Sequence, residues 1–197
     1  MHKVYHANTT QYIAGNPLES LYKDLPKEIE KRALRFRFPK DAYNFVVGRL
    51  LLQKGLRELG MSDDLSKMTY QENGKPEMEG LWFNISHSAH QVVCVLSTEG
   101  PIGIDIEVRS DIELSDFVNY FTEQEWLDIQ GATDPLARFY FYWTRKEAVI
   151  KALGVNLSWL HEIELDATGR QFYARGRQWT LASTAFRKFS KRPRCAA

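Results

Sequence analysis

Asp105 and Glu107 stand two residues apart in Pro101-Ile102-Gly103-Ile104-Asp105-Ile106-Glu107, where isoleucines alternate with other residue types. That period-2 pattern predicts a strand with Ile102, Ile104 and Ile106 on a buried face and the two carboxylates side by side on the other. Like charges that close repel unless a cation lies between them. A hard divalent ion with oxygen ligands suits the place, and Mg²⁺ commonly takes one or two carboxylates together with substrate phosphates. The same spacing equally describes a half-exposed strand whose carboxylates face water.

Further chain chemistry lies at Trp143, Glu147 and Lys151. Their i, i+4, i+8 spacing puts them on one helix face. Glu followed by Lys at i+4 is also the ordinary stabilising pair of helices, contributing about 0.2–0.5 kcal/mol. Ser86 adjoins His87, but neighbours on an extended chain point to opposite sides, so they make no nucleophile–base pair. His87 is then either a structural histidine or a ligand-binding one. Arg49, among apolar neighbours, is either a phosphate ligand or a side chain reaching out to water. Lys27, Lys31, Arg32, Arg35 and Arg37 form a solvated basic face or the rim of a polyphosphate site.

The elements that must hold these residues follow from pattern and punctuation. Residues 3–6 predict a short strand. Pro26 opens a charged helix running to Arg37. Residues 41–59 are the clearest helix, with Phe45, Leu52, Leu56 and Leu59 at helical spacing and Gly60 as its stop. Residues 67–71 predict a strand before the turn at Gly74-Lys75-Pro76. Apolar stretches at 81–88 and 91–96 suggest that 84–90 is a connection between strands, where binding residues tend to lie. Thr122 to Glu125 match a capping box, and Asp134-Pro135 opens a helix to about Leu153 with Gly154 behind it. Residues 162–165, 170–174 and 178–182 predict strands around a turn at 166–169, and the basic stretch from Arg187 predicts a frayed tail. A weak two-fold organisation divides the chain near residues 97–100.

The 197 residues suffice for a sizeable core, and 44% hydrophobic with 26% charged residues is an ordinary globular composition. A net charge of +1 implies no bulk attraction to nucleic acid. No apolar signal region or membrane-length run occurs, so the expectation is a cytoplasmic protein without a membrane partner. Two cysteines, Cys94 in an apolar run and Cys195 near the end, fit a reducing compartment.

Four pieces follow in fixed order: Gly74-Lys75-Pro76, Phe83-Asn84-Ile85-Ser86-His87-Ser88, Gly103-Ile104-Asp105-Ile106-Glu107, and Trp143-x-x-Lys146-Glu147-Ala148-x-x-Lys151. Together, over residues 74 to 151, they resemble the 4′-phosphopantetheinyl transferases of the Sfp-type group. Asp41-Ala42 and Gly48-Arg49 extend the likeness upstream. The resemblance implies transfer of the phosphopantetheine arm of coenzyme A to a serine of an apo acyl or peptidyl carrier protein, with adenosine 3′,5′-bisphosphate leaving. It implies that Asp105, Glu107 and Glu147 hold Mg²⁺ against the pyrophosphate. Glu147 would also be the base, directly or through water, and Lys151 would neutralise phosphate charge as the bond breaks. Lys75, Ser86 and His87 fall by resemblance to the nucleotide end and its phosphates, with Arg49 and Lys146 as further candidates. Asn44 departs from the pattern, because many relatives carry a basic residue there. The short C-terminus suggests a reduced carrier-facing surface.

The implied fold class is α+β: a pseudo-two-fold pair of similar α/β halves, 1–97 and 98–197. Each half would be a small antiparallel sheet with a long helix, and coenzyme A would lie in the crevice of a monomer. Two other functions fit the same residues: an inactive coenzyme A or carrier-protein binding module, and a Mg²⁺-dependent phosphohydrolase of coenzyme A. The pathway served stays open among fatty acid, polyketide and non-ribosomal peptide synthesis.

Overall fold

In the computed structural model, residues 2–165, 171–174 and 177–180 are described. The expected turn at 166–169, the tail from Arg187 and Cys195 lie outside them. The chain opens with β1 (His2–Asn8), α1 (Thr10–Gly15), α2 (Leu18–Tyr22), α3 (Lys27–Ala33) and the long α4 (Pro39–Glu58). A two-residue pair, β2 (Thr69–Tyr70) and β3 (Pro76–Glu77), precedes β4 (Trp82–Ser88) and β5 (Gln91–Ser97). Then come α5 (Glu123–Gly131), α6 (Pro135–Leu153) and the short strands β6 (Glu164–Leu165), β7 (Gln171–Ala174) and β8 (Arg177–Thr180).

Five consecutive apolar residues, Val92 to Leu96, require cover on both faces of their strand. β5 meets that requirement as the central strand of an antiparallel sheet ordered β1-β5-β4. Val92, Cys94 and Leu96 face the core beneath α4, and Val93 and Val95 are buried on the other side. The Cys94 thiol is fully buried, which pushes its pKa up to about 12 and leaves it inert. A second apolar core joins Phe121, Ile129, Phe139, Val149, Ile150, Leu160 and Phe172. The architecture is thus α+β, with small antiparallel sheets and two long helices. No helix among the described residues is long and apolar enough to cross a membrane.

Local signals place the helix ends. Thr122 and Glu125 form the reciprocal capping box of α5, and Asp134 accepts a 2.8 Å bond from the Ala137 amide at the start of α6. Gly154 ends α6 in the left-handed region at φ 70°. The basic helix stops at Ala33, short of Arg37. Pro39 opens α4 and holds Phe38 extended, so the two helices cannot merge.

Two expectations need correction. Residues 84–88 lie on β4 itself, and the connection to β5 shrinks to Ala89 and His90. Apolar Phe83 and Ile85 continue the strand through the polar residues, because its second face is polar. The stretch 101–107 forms no strand ladder with any described residue. Its isoleucines and Gly103 are half-buried, because the segment lies between the polar face of β4 and α6 instead of inside an apolar core. A Cβ on Gly103 would stand 2.0 Å from the Ala148 carbonyl oxygen and 2.6 Å from the Ala152 amide nitrogen, both backbone atoms of α6.

Gly103→Ala must therefore push the 101–107 segment off α6. The expected loss is at least about 2–3 kcal/mol of stability, read as a lower denaturant midpoint. An unchanged midpoint would show that stability does not depend on close contact between the 101–107 segment and α6.

Candidate active site

Asn84, Ser86 and Ser88 alternate along β4 and so share the sheet face opposite α4. The 104–108 segment lies against that face and is held by side chains. The Ile104 amide donates to Asn84 Oδ1 (3.2 Å), and the Val108 amide donates to Ser88 Oγ (3.1 Å). Ser86 Oγ donates to Asp105 Oδ1 at 2.7 Å, and Ser88 Oγ to Glu107 Oε2 at 2.8 Å. Equal two-residue spacing on strand and segment matches each serine to one carboxylate.

Helix α6 brings Glu147 and Lys151 to the same place. Lys151 Nζ donates to Asp105 Oδ1 at 2.5 Å and to Ser86 Oγ at 3.1 Å, and lies 3.6 Å from Glu147 Oε2. Trp143, on the same helix face one turn earlier, instead stacks on Phe139 in the second core, with ring centroids 5.6 Å apart. The Asp105 side chain is only 1% exposed, and its Oδ2 is buried with no hydrogen-bond partner. Burial pushes the Glu147 carboxyl up from the ordinary glutamate range; Lys151 pulls it back, while Asp105 and Glu107 push it further up. Glu107 is likewise raised, first by burial, with the Ser88 bond and Lys151 opposing and Asp105 reinforcing. Three carboxylates therefore feel one another, with a single ammonium among them.

The donor set suits a hard divalent cation: carboxylate oxygens, one of them buried and unpartnered. The carboxylates do not, as they stand, close on a common point. Among the described residues no three His, Cys, Asp or Glu side chains form a metal-holding group. The Lys151 ammonium lies on Asp105 instead.

Cations collect on the other face of β4. His87 alternates with Ser86 and so turns toward α4; Asp41, Arg49 and Lys40 of that helix and Lys151 of α6 all act on it. Desolvation lowers its pKa first; Asp41 opposes this and the three cations reinforce it. Arg49 is buried on α4 with its guanidinium 3.8 Å from the Phe45 ring centroid and its Nε unpartnered. Burial pulls its pKa down to about 10, Tyr70 opposes and Arg32 adds, and no carboxylate among the described residues balances it. Arg32 lies over the rings of Phe45 and Tyr70, 5.4 and 5.6 Å from their centroids. Asn44 is fully built into the fold. It accepts from Thr9 Oγ1 at 2.9 Å and donates to the Ala89 carbonyl at 2.8 Å, pinning the turn after His87.

Two expected ligand contacts are placed elsewhere. Lys146 is wholly buried, ion-paired to Glu125 and bonded at 3.1 Å to the Tyr120 carbonyl. One residue before Glu147, it turns about 100° around the helix and meets α5 rather than the carboxylates. Lys75 Nζ donates to the Lys151 and Ala152 carbonyls at 2.7 and 3.3 Å, capping the last turn of α6. Asn73 Nδ2 adds a 2.8 Å bond to the Gly154 carbonyl. The structure thus gathers Ser86, Asp105, Glu107, Glu147 and Lys151, sets His87 and Arg49 on the adjoining face, and turns Lys75 to the end of α6 and Lys146 to α5. Sequence reasoning missed Ser88 as a carboxylate partner. The signal was available in the identical spacing of Ser86–Ser88 and Asp105–Glu107.

The chain is similar to known proteins. A sequence model of the 4′-phosphopantetheinyl transferase superfamily matches residues 101–193. The 4′-phosphopantetheinyl transferase gsp of Aneurinibacillus migulanus is 36% identical over 141 residues, covering 70% of this chain and 59% of that protein. HetI of a Nostoc species, also named a 4′-phosphopantetheinyl transferase, is 34% identical over 163 residues, covering 77% of this chain and 68% of its own. Sfp of Bacillus subtilis, of the same name, is 29% identical over 162 residues, covering 79% and 72%. The chain thus spans less than two thirds of gsp and somewhat more of the other two.

Removing one partner of the buried Lys146–Glu125 pair strands the other charge. Lys146→Met should cost about 3–5 kcal/mol in denaturation, and adding Glu125→Gln should recover part of it. No recovery would mean that the pair is not the reason Lys146 is buried. For Glu147 the raised pKa means that folding favours its protonated form. Its stabilising contribution is complete below the ordinary glutamate value and is lost as pH rises through the folded value. Glu147→Gln should accordingly raise the denaturation midpoint at neutral pH, and the gain should shrink as pH falls toward that ordinary value. A gain that grows with acidity would reverse the sign and exclude a raised Glu147 pKa.

Proposed function

Because this chain belongs to the 4′-phosphopantetheinyl transferase superfamily, we propose that it moves the phosphopantetheine arm of coenzyme A onto a serine of an apo acyl or peptidyl carrier protein. The observation that carries the reading is the meeting of Asp105, Glu107, Glu147 and Lys151 beside a cationic face holding His87 and Arg49. One side suits a metal ion and a proton acceptor; the other suits the phosphates of a nucleotide.

The carrier serine oxygen attacks the β-phosphorus of coenzyme A, and the bond from that phosphorus to the bridging oxygen breaks, releasing adenosine 3′,5′-bisphosphate. Mg²⁺ held by Asp105, Glu107 and Glu147 would supply Lewis-acid polarisation of the phosphoryl oxygens and screen their charge. Glu147 takes the serine proton, directly or through water, and its raised pKa makes it a better base than an ordinary glutamate. Lys151, part-exposed and one turn on, meets the charge that develops on the leaving phosphate. Ser86 orients Asp105, and His87 and Arg49 take the nucleotide phosphates. Lys75 and Lys146 serve from behind by fixing α6.

Coenzyme A would lie between two similar halves divided near residue 97. That division is supported by the separate apolar cores and by the Ser86–Asp105 and Lys75–Lys151 bonds across it. In this reading the two halves already supply the crevice, and the chain acts as a cytoplasmic monomer.

The test is the intact mass of an apo acyl carrier protein after incubation with this chain, coenzyme A and Mg²⁺. A gain of one phosphopantetheine, blocked by a chelator and reduced at least ~10²-fold by Asp105→Ala, is expected. Full transfer by Asp105→Ala would remove the carboxylate assignment. Coenzyme A consumed with the carrier unchanged would make the protein a hydrolase; coenzyme A bound without any gain would make it a binding module.

A further inference from the structure

Ser88 ends β4, and its single hydroxyl makes two bonds to the carboxylate segment. The Val108 amide can only donate, so Ser88 Oγ must accept there. Its one proton is then left for Glu107 Oε2, 2.8 Å away. The hydroxyl orientation is therefore determined by chemistry alone. Asp105 is held by two donors, Ser86 and Lys151, whereas Glu107 accepts no other hydrogen bond among the described residues. Glu107 is also more exposed than Asp105, so without Ser88 its rotatable side chain has nothing to fix it.

The support behind Ser88 is rigid. Ala89, which follows it, sits at φ 51°, and Asn44 holds its carbonyl at 2.8 Å. The next carbonyl, of His90, accepts from the Thr9 amide at 2.8 Å. Thr9, which follows β1, and Asn44 of α4 thus brace the turn directly after the residue whose hydroxyl is aimed at Glu107.

We propose that Ser88 is a positioning residue that presents Glu107 for divalent-cation binding. The inference rests on the metal role given to the carboxylates above. Outer partners that orient a metal-binding side chain typically change metal affinity by about 10–100-fold when removed.

The experiment is titration of the full chain with Mn²⁺, read by the paramagnetic resonance of the free ion, for wild type, Ser88→Ala and Ser88→Thr. Denaturant midpoints are measured in parallel with chelator present. Ser88→Ala should bind Mn²⁺ about tenfold or more weakly with a nearly unchanged midpoint, and Ser88→Thr, which keeps donor and acceptor, should restore binding. Wild-type affinity in Ser88→Ala would overturn the inference and leave the metal role standing. So would a Ser88→Thr variant as weak as Ser88→Ala, or a fall in midpoint that accounts for the lost affinity. No Mn²⁺ binding by the wild type would overturn the metal role and this inference together.

Discussion

Mutual repulsion among Asp105, Glu107 and Glu147 is the constraint around which the site is built. Two like charges about 6 Å apart repel by roughly 3 kcal/mol at an effective dielectric constant near 20, which a marginally stable fold cannot ignore. The chain contains it with donors. Ser86 and Lys151 serve Asp105, Ser88 serves Glu107, and Lys151 also lies near Glu147. Lys151 is therefore more than the second member of a surface helix pair, since its nearest partner is an almost fully buried aspartate. Lysine is suited to sharing among three carboxylates because its ammonium is compact and its donors rotate.

Strand alternation then gives the site two characters. Ser86 and His87 are adjacent in sequence yet belong to opposite faces of β4, one bonding Asp105 and the other turned toward Asp41, Lys40 and Arg49 of α4. A ligand carrying both phosphates and a reacting phosphorus must pass from one character to the other. The strand separates Asp105 and Glu107 from the Arg49 guanidinium, while Lys151 bonds Asp105 and also acts on His87.

Features decided within a few residues could be foreseen. The capping box at Thr122, the Asp134-Pro135 start and the Gly154 stop depend on local backbone donors, and each stands as expected. The long helix over residues 41–59 and the strand at 91–96 follow from apolar periodicity that tertiary packing merely confirms. The shared face of Glu147 and Lys151 was equally readable, since helix geometry settles it. Directions that depend on distant partners were not. Lys146 is decided by Glu125, 21 residues away, and Lys75 by carbonyls 76 and 77 residues on. The isoleucine alternation at 102–106 looked like a strand because period 2 also arises where a segment is pinned from one side by alternating side chains.

The contact at Gly103 has an evolutionary consequence. The atoms that forbid a side chain there belong to the main chain of α6, at residues 148 and 152, so shrinking a neighbour relieves nothing. Elsewhere in a core, a bulky substitution can be rescued by a second, smaller one. Here that route is closed: genetic suppressors of a Gly103 change should not arise at positions 148 or 152, and reversion to glycine is the direct way back. The glycine and the helix that carries Glu147 and Lys151 are thereby bound to descend together, although 44 residues separate Gly103 from Glu147.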